Sequence, residues 1–252
     1  MGLTAQSNVI YTANIGGYDA LAPIDSRYIN DSWLAVCFTD EPESVPAPWL
    51  AVRVDTDLYG DLPPVAIAKW HKIQPEQFLL PHLADAPENI LWIDANIQIG
   101  RHLDDILGEF PLESNFCTQR HSAVHTFFGE IRAARGFPRP YIPDTRDKSE
   151  AMEADYRRRG MIDEDGLSNH NNVILRRPCE RNTILQAAWW DEFHGYGVWR
   201  DQISLRAAAQ MTGIEFDMIH ELNRKGLRWA RHACLMPARR ERRRATLRRG
   251  HV

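Results

Sequence analysis

Residues 8–17 read Asn8-Val-Ile-Tyr-Thr-Ala-Asn-Ile15-Gly16-Gly17. β-Branched and aromatic side chains followed by a glycine pair are typical of a strand that ends in a tight turn. A second apolar run, Asn89-Ile-Leu-Trp-Ile93, stops at Asp94. Its short length and unbroken apolar character predict a strand that is buried on both faces.

The rest of the chain alternates strands with helices around these two runs. Further strands are predicted at 33–39, 50–54, 115–118, 172–175 and 214–219, and helices at 63–72, 103–110, 124–135, 145–159, 182–193 and 201–211. This alternation favours an α/β fold with a mostly parallel central sheet flanked by helices. We assign a single domain to residues 1–223 and a basic C-terminal appendage, helical or flexible, to residues 224–252.

Charge is divided unevenly along the 252 residues. The formal net charge is −4, yet residues 224–252 hold eleven Lys or Arg and one Glu, so that residues 1–223 carry −14. This division excludes a uniformly basic nucleic-acid-binding protein, and the 44% apolar content excludes a disordered polyanion. The basic segment is expected to be a solvated end without a partner, or to attach to an anionic membrane surface. Nucleic acid is the less favoured partner.

The sequence favours a cytoplasmic protein. It has no run of eighteen apolar residues that would span a membrane, and its first residues lack the basic start and apolar core of a signal peptide. The four cysteines lie far apart without a C-x-x-C pair, which is typical of reduced, buried thiols. The alternative, suggested by the basic segment, is a protein bound peripherally at the inner face of the membrane.

Polar residues follow the first strand, at the kind of edge where open parallel sheets bind ligands. The glycine pair would let a ligand approach the backbone closely, although a plain strand and turn explain it equally well. The segment is neither a dinucleotide fingerprint nor a phosphate-binding loop, because G-x-G-x-x-G and Gly-Lys-Ser/Thr are both missing.

A second polar group, Asp94 and Asn96, comes directly after the strand at 89–93. In an extended chain these two side chains point the same way. Two oxygen donors on one side suit Mg²⁺ or Mn²⁺, which would hold and neutralise a diphosphate. The alternative is an Asx turn that closes the strand.

A third polar group opens the predicted helix at 201–211, with Arg200 and Asp201 at its start. Helix capping by Asp201 is the favoured interpretation. The functional alternative is an acid that orients a hydroxyl group, with Arg200 clamping a phosphate or carboxylate. His121 and His125 have a spacing compatible with metal binding, but no third ligand is evident. We therefore expect each histidine either to form its hydrogen bonds within the protein or to be exposed to solvent.

The aromatic residues Trp189, Trp190, Tyr196 and Trp199 form a further group in the late part of the chain. Flat amphipathic rings can stack on sugars, but at helical spacing they more often belong to the core. We expect Trp189 in the core and leave Trp199 open between the two roles.

Taken in order, the motifs of the chain resemble those of a glycosyltransferase-like family long catalogued as domain of unknown function 616. That family occurs in plant proteins linked to cell-wall polysaccharide and in bacterial polysaccharide clusters. The motifs, spanning about residues 9–205, are Y-T-A-N-I-G-G-Y-D, a Lys, W-I-D-A-N, a His with a Glu nine residues later, N-N-V-I-L-R-R, W-W-x-E and R-D-Q-I-S. One departure is Glu76, where the family's Lys-x-x-Pro stretch continues with His.

The resemblance implies a GT-A-like fold that binds a nucleotide sugar. By position, the nucleotide-sugar-binding residues would be Tyr11, Thr12, Asn14, Gly17, Asp19, Lys72, Asp94, Asn96, His121, Asn171, Arg200 and Gln202. Asp94 and Asn96 would take the place of the family's metal-binding Asp-x-Asp motif, with one carboxylate fewer. Asp201 or Glu130 would be the catalytic general base if the reaction inverts configuration.

The function implied is a glycosyltransferase of polysaccharide biosynthesis. It would move a sugar from a nucleotide-diphosphate sugar to a glycan, lipid-linked or other hydroxyl acceptor, with the help of Mn²⁺ or Mg²⁺. Two alternatives remain open. One is a non-catalytic nucleotide-sugar or glycan-binding protein of the same fold, and the other is a nucleotidyltransferase, which would release pyrophosphate.

Overall fold

The computed structural model describes residues 6–121, 126–135, 146–163, 168–220, 222 and 226–229. The strands are β1 (Asn8–Asn14), β2 (Trp33–Thr39), β3 (Leu50–Arg53), β4 (Asn89–Ile93), β5 (Ile97–Ile99), β6 (Phe116–Arg120), β7 (Asn169–Arg176), β8 (Asp217–Ile219) and β9 (Leu227–Trp229). The α-helices are α1 (Pro64–Ile73), α2 (Pro75–Phe78), α3 (Leu103–Leu107), α4 (Phe127–Arg135), α5 (Arg146–Arg158), α6 (Glu180–Tyr196) and α7 (Asp201–Thr212). Short 3-10 turns cover Ser26–Tyr28, Pro42–Ser44, Thr56–Tyr59 and Leu80–His82.

Seven strands form the central sheet, in the order β3-β2-β1-β4-β7-β6-β8. Neighbouring strands are parallel except at β7, which runs antiparallel to both β4 and β6. The α/β class and the mostly parallel sheet are therefore confirmed. The reversal at β7 was not predicted, because a strand's apolar pattern does not encode its direction.

Most predicted elements lie where the sequence placed them, with shifts at their ends. The helix expected at 103–110 ends at Leu107, and the strand expected at 214–219 covers only Asp217–Ile219. Part of the helix expected at 124–135 is observed as Phe127–Arg135, whereas residues 124 and 125 lie outside the described residues.

The sheet separates two apolar layers, and alternate residues of each strand serve them. In β4, Ile90 and Trp92 pack with α1 and α6, whereas Leu91 and Ile93 pack with α3 on the opposite face. This division follows from the period-two alternation of side chains in a strand. Burial on both faces explains why β4 is apolar from Ile90 to Ile93.

A small second sheet pairs β5 with β9 in antiparallel register. The Gly100 N–H donates to the carbonyl of Gly226 at 2.6 Å, and Leu227 is buried in the layer that contains α3. Residues 226–229 thus pack on the domain, although the sequence assigned them to the appendage. Residues 230–252 lie outside the described residues, so that a membrane role for this segment stays a prediction.

Two further expectations concern the compartment of the protein. Cys37 and Cys117 are free and buried, and Cys179 is free and partly exposed, whereas Cys234 lies outside the described residues. Among the helices that the structure describes, none is both long and apolar enough to cross a membrane.

Candidate functional site

A cleft lies beyond the carboxyl ends of β1 and β4. From β1 the chain moves outward through β2 and β3, and it then returns to place β4 on the other side of β1. The strand order therefore reverses between β1 and β4, and open α/β sheets bind ligands in the crevice at such a point. Seven predicted site residues line the cleft: Asn14, Asp19, Asp94, Asn96, Arg200, Asp201 and Gln202.

Two lysines and two aspartates form an ion-pair network at the floor of the cleft, which we call the lysine–aspartate cluster. Lys72 Nζ lies 3.1 Å from Asp94 Oδ1 and 2.7 Å from Asp201 Oδ2. Lys69 Nζ lies 2.9 Å from Asp201 Oδ1. The cluster therefore runs as an alternating chain of charges, from Lys69 through Asp201 and Lys72 to Asp94.

Local structure explains how these four side chains meet. Lys69 and Lys72 are three residues apart on α1, so that both side chains lie on the same face of the helix. Asp94 follows the last residue of β4 directly, and Asp201 is the first residue of α7. The carboxyl end of a central strand, the start of one helix and a face of another thus converge at one place.

Exposure is graded along the cluster. The side chains of Lys72 and Asp201 are 1% and 3% exposed, whereas those of Lys69 and Asp94 are 19% and 29% exposed. The inner pair is fixed within the protein, because buried charges depend on their partners. The outer pair, Lys69 and Asp94, is the part of the cluster that a ligand in the cleft can contact.

Burial and charge oppose each other in setting the pKa values of the cluster. Burial raises the pKa of Asp94 and of Asp201, but Lys69 and Lys72 lower both by more, so that both carboxylates have pKa values below the ordinary one. Burial lowers the pKa of Lys69, yet Asp201 and Asp94 raise it above its usual value. The more deeply buried Lys72 has a lowered pKa, because burial outweighs the same two carboxylates.

Asp94 is fixed by more than its lysine. Its Oδ1 also accepts a hydrogen bond from Trp92 Nε1 at 2.9 Å, and its backbone N–H donates to the carbonyl of Asn172. The Lys72 ammonium lies 5.4 Å from the centre of the Trp92 ring. Oδ1 of Asp94 therefore already has two donors before any ligand arrives.

The predicted metal ligands are Asp94 and Asn96, and both line the cleft. Asn96 is only 4% exposed. Within the part of the chain that the structure describes, no group of three or more His, Cys, Asp or Glu side chains is placed to hold a metal ion. The donors that the structure brings together are thus one carboxylate and one amide.

Tyr11 and Thr12 lie in the core rather than at the cleft surface, since both are fully buried. The Tyr11 hydroxyl donates to the carbonyl of Lys72 at 3.0 Å, and Arg176 donates to the same carbonyl and to the Tyr11 oxygen, both at 2.7 Å. These bonds hold the end of α1 that carries the lysines. Tyr11 therefore supports the cleft from below, and its pKa is raised by burial.

The loop after β1 is closed by its own polar residues. Asn14 Nδ2 donates to the carbonyl of Asp19 at 2.8 Å, and the Asp19 N–H donates back to Asn14 Oδ1 at 3.1 Å. Gly17 sits in the exposed turn between them with φ of +60°, which favours glycine. Both the turn and the ligand interpretations of this segment remain compatible with its position.

A second buried ion pair borders the cleft. The Arg200 guanidinium donates to Glu130, whose side chain is 2% exposed, and His121 Nε2 lies 4.0 Å from the other Glu130 oxygen. The rings of His121 and His170 lie 5.1 Å apart, and His170 lines the cleft. Burial lowers the pKa of Arg200, although Asp201 partly offsets this effect. His125, the other predicted histidine, lies outside the described residues.

The remaining predicted residues either support the cleft from within the core or line its surface. Asn171 is buried, and its amide donates to the carbonyl of Asp201 at 3.1 Å. Trp189 is in the core, as expected, and donates to the same carbonyl at 3.0 Å, whereas Trp199 lines the cleft. Glu76, the departure from the family pattern, accepts a hydrogen bond from Gln186 on α6.

Sequence reasoning missed Lys69 and His170, which both line the cleft. A signal for Lys69 was present, since it precedes Lys72 by three residues on a predicted helix, and such residues share a face. For His170 no comparable signal exists, because its place depends on the direction of β7. Of the predicted catalytic residues, Asp201 lines the cleft, whereas Glu130 is buried behind Arg200, and each lies within a buried ion pair.

The chain was compared with models of protein families and with curated proteins. No family model matches it. No curated protein matches it at a significant level. Any function proposed for the chain therefore rests on its short motifs and on the chemistry of the cleft.

Proposed function

We propose that this chain is a GT-A-like glycosyltransferase that moves a sugar from a nucleoside-diphosphate sugar to a hydroxyl acceptor, such as a glycan or a lipid-linked saccharide. The observation that carries the proposal is the cleft at the strand-order reversal between β1 and β4, with the lysine–aspartate cluster at its floor. This is the place where open α/β sheets hold nucleotides.

The reaction has definite chemical needs. The bond from the sugar's anomeric carbon to the diphosphate breaks, a bond to the acceptor oxygen forms, and the acceptor hydroxyl loses its proton. Positive charge must face the leaving diphosphate, and a carboxylate must face the acceptor hydroxyl. The cleft offers positive groups, a partly exposed carboxylate in Asp94, and an aromatic wall in Trp199 that suits sugar rings.

The graded exposure of the cluster supports a division of labour among the carboxylates. Asp94, the most exposed member, is placed to accept a hydrogen bond from the acceptor hydroxyl. Asp201 and Glu130 are each held by cations within the protein, so that their main effect would be to position Lys69 and Arg200. A general-base role for either remains the prediction of the family resemblance.

The proposal is tested by supplying the purified protein with a panel of nucleoside-diphosphate sugars and saccharide acceptors. Mass spectrometry would follow release of the nucleoside diphosphate and formation of the glycoside. We expect turnover with at least one donor, and a loss of about 100-fold or more in Asp94→Asn, since removing one transition-state contact has effects of this size. Asp191→Asn, an exposed carboxylate on α6, is the matched control.

Three outcomes would contradict the proposal. Release of pyrophosphate would indicate a nucleotidyltransferase, and nucleotide-sugar binding without turnover over hours would indicate a binding protein. Full activity in Asp94→Asn would show that the reaction takes place elsewhere on the molecule.

A further inference from the structure

The lysine–aspartate cluster contains one cation that can change its partner. We propose that the Lys69 ammonium binds the departing diphosphate directly and takes the place of a divalent ion, so that the reaction in this cleft needs no metal. This inference rests on the proposed function and narrows it to one charge carrier.

The donor set around Asp94 does not fit a divalent ion. Asp94 Oδ1 already accepts from Lys72 Nζ at 3.1 Å and from Trp92 Nε1 at 2.9 Å. A metal ion bound to that oxygen at about 2.1 Å would lie within about 5 Å of an ammonium group, where like charges repel strongly. The second donor, Asn96, is a neutral amide, and hard cations in proteins favour carboxylates.

Lys69 is the cation that the geometry leaves available. Its side chain is 19% exposed and lines the cleft, whereas that of Lys72 is 1% exposed and lies between Asp94 and Asp201. The other cation at the cleft surface, Arg200, is held by the buried Glu130. Lys69 and Arg200 are about equally exposed, at 19% and 18%, and each contacts one carboxylate. They differ in what that carboxylate keeps when the cation leaves: Asp201 also contacts Lys72 at 2.7 Å, whereas Glu130 has, among the residues that the structure describes, only His121 at 4.0 Å.

Exchange of partners at Lys69 leaves no charge uncompensated. If the Lys69 ammonium turns from Asp201 Oδ1 to a phosphate oxygen, Asp201 keeps Lys72 at 2.7 Å on its other oxygen. Lys72 in turn keeps Asp94. Burial of unpaired charge, the usual obstacle to breaking a buried ion pair, is therefore avoided. The raised pKa of Lys69 keeps the ammonium charged throughout the neutral range.

The test measures binding of nucleoside diphosphates to the full chain by titration calorimetry, with UDP and GDP as probes. Wild-type protein is titrated in EDTA and again with Mn²⁺. We expect dissociation constants that agree within about twofold in the two buffers. Lys69→Met should weaken binding by about 10- to 100-fold, the effect of losing one hydrogen bond to a charged group.

Two further variants separate charge from structure. Lys69→Arg keeps a cation and should recover most of the affinity that Lys69→Met loses. Lys148→Met removes an exposed lysine on α5, outside the cleft, and should bind like wild type. Thermal unfolding of each variant establishes that it is folded under the conditions of titration.

The outcomes distinguish this inference from the proposed function. Binding that disappears in EDTA and returns with Mn²⁺ would overturn the role of Lys69 and leave glycosyl transfer intact. So would unchanged affinity in Lys69→Met. Failure of wild-type protein to bind any nucleoside diphosphate in either buffer would overturn the proposed function itself. The titration in EDTA needs no variant, so that it decides whether binding needs a metal even if Lys69→Met does not fold.

Discussion

Asp201→Asn removes one charge from the centre of the lysine–aspartate cluster and leaves the shape of the side chain almost unchanged. The carboxylate is 3% exposed and contacts Lys69 at 2.9 Å and Lys72 at 2.7 Å. Its backbone carbonyl accepts from Asn171 and Trp189, and these bonds do not depend on the side chain. The substitution therefore isolates the effect of the charge.

The expected loss of stability follows from the partners that remain. Lys72 keeps Asp94, whereas Lys69 loses its carboxylate and must turn toward water. Removal of one partner from a buried ion pair costs about 3–5 kcal/mol in the free energy of unfolding. Because Lys69 is already 19% exposed, we expect a value near 3 kcal/mol, at the lower end of this range. For a chain of this length, the midpoint temperature of thermal unfolding should decrease by an amount on the order of 10 °C.

Calorimetry and urea unfolding at pH 7, without ligand, measure this loss. Asp191→Asn serves as the exposed control and should change stability by less than about 0.5 kcal/mol. The double variant Lys69→Met with Asp201→Asn removes the stranded cation as well. It should recover about 1–2 kcal/mol relative to Asp201→Asn alone, which is the coupling expected between contacting residues.

The pH dependence of stability provides a second test of the same substitution. The pKa of Asp201 in the folded protein lies below its ordinary value, so that the ionised carboxylate stabilises the fold above about pH 4. That contribution is lost as the pH falls through the folded-state pKa. Stability of Asp201→Asn should therefore vary less with acid than that of wild type. A loss below about 1 kcal/mol at pH 7, the range of surface pairs, would refute this account of the cluster.

Three other substitutions give independent checks. Burial lowers the pKa of His71 from 6.5 to about 4, so that between pH 6.5 and 4 the unfolded chain takes up a proton that the folded protein does not, and stability falls. His71→Phe should flatten the pH dependence of stability to urea across this window, and an unchanged slope would contradict it. Gly100→Ala would bring the added Cβ to 2.9 Å from the Gly226 carbonyl oxygen, so that β5 and β9 must separate. The free energy of unfolding, measured by thermal unfolding, should fall by about 1–3 kcal/mol. No loss would show that the two strands accommodate the methyl group. Gly195 lies in α6 with nothing within 4 Å of an added Cβ, so that Gly195→Ala should raise stability by about 0.5–1 kcal/mol, and a fall would show hidden strain.

The sequence allowed the class of fold to be predicted because its strands are short apolar runs bounded by turns. β4 was predicted with the bounds that it has, since its positions from Ile90 to Ile93 are apolar on both faces of the sheet. The direction of β7 was not, because its apolar run Val173-Ile-Leu175 can be buried by a parallel or an antiparallel strand. Nor was the pairing of β5 with β9, which joins segments more than a hundred residues apart.

The site was predictable where a polar residue follows a strand and unpredictable where residues meet across the fold. Asp94 stood out because a carboxylate after an apolar strand needs a cation. The identity of that cation as Lys72, supported by Arg176 through the Lys72 carbonyl, depends on how α1 and β7 pack. The pairing of Glu130 with Arg200 spans 70 residues, and no local pattern indicates it.

The pairing of β5 with β9 has a consequence for the order in which the molecule is made. The turn that carries Asp94 and Asn96 leads directly into β5, yet the strand that completes β5 is synthesised some 130 residues later. During synthesis, β1, β2, β3 and β4 can associate early, since their mutual contacts precede the last third of the chain. The floor of the cleft would then gain its final support as one of the last events of folding. A nascent chain would thus carry its central sheet well before it carried a finished site.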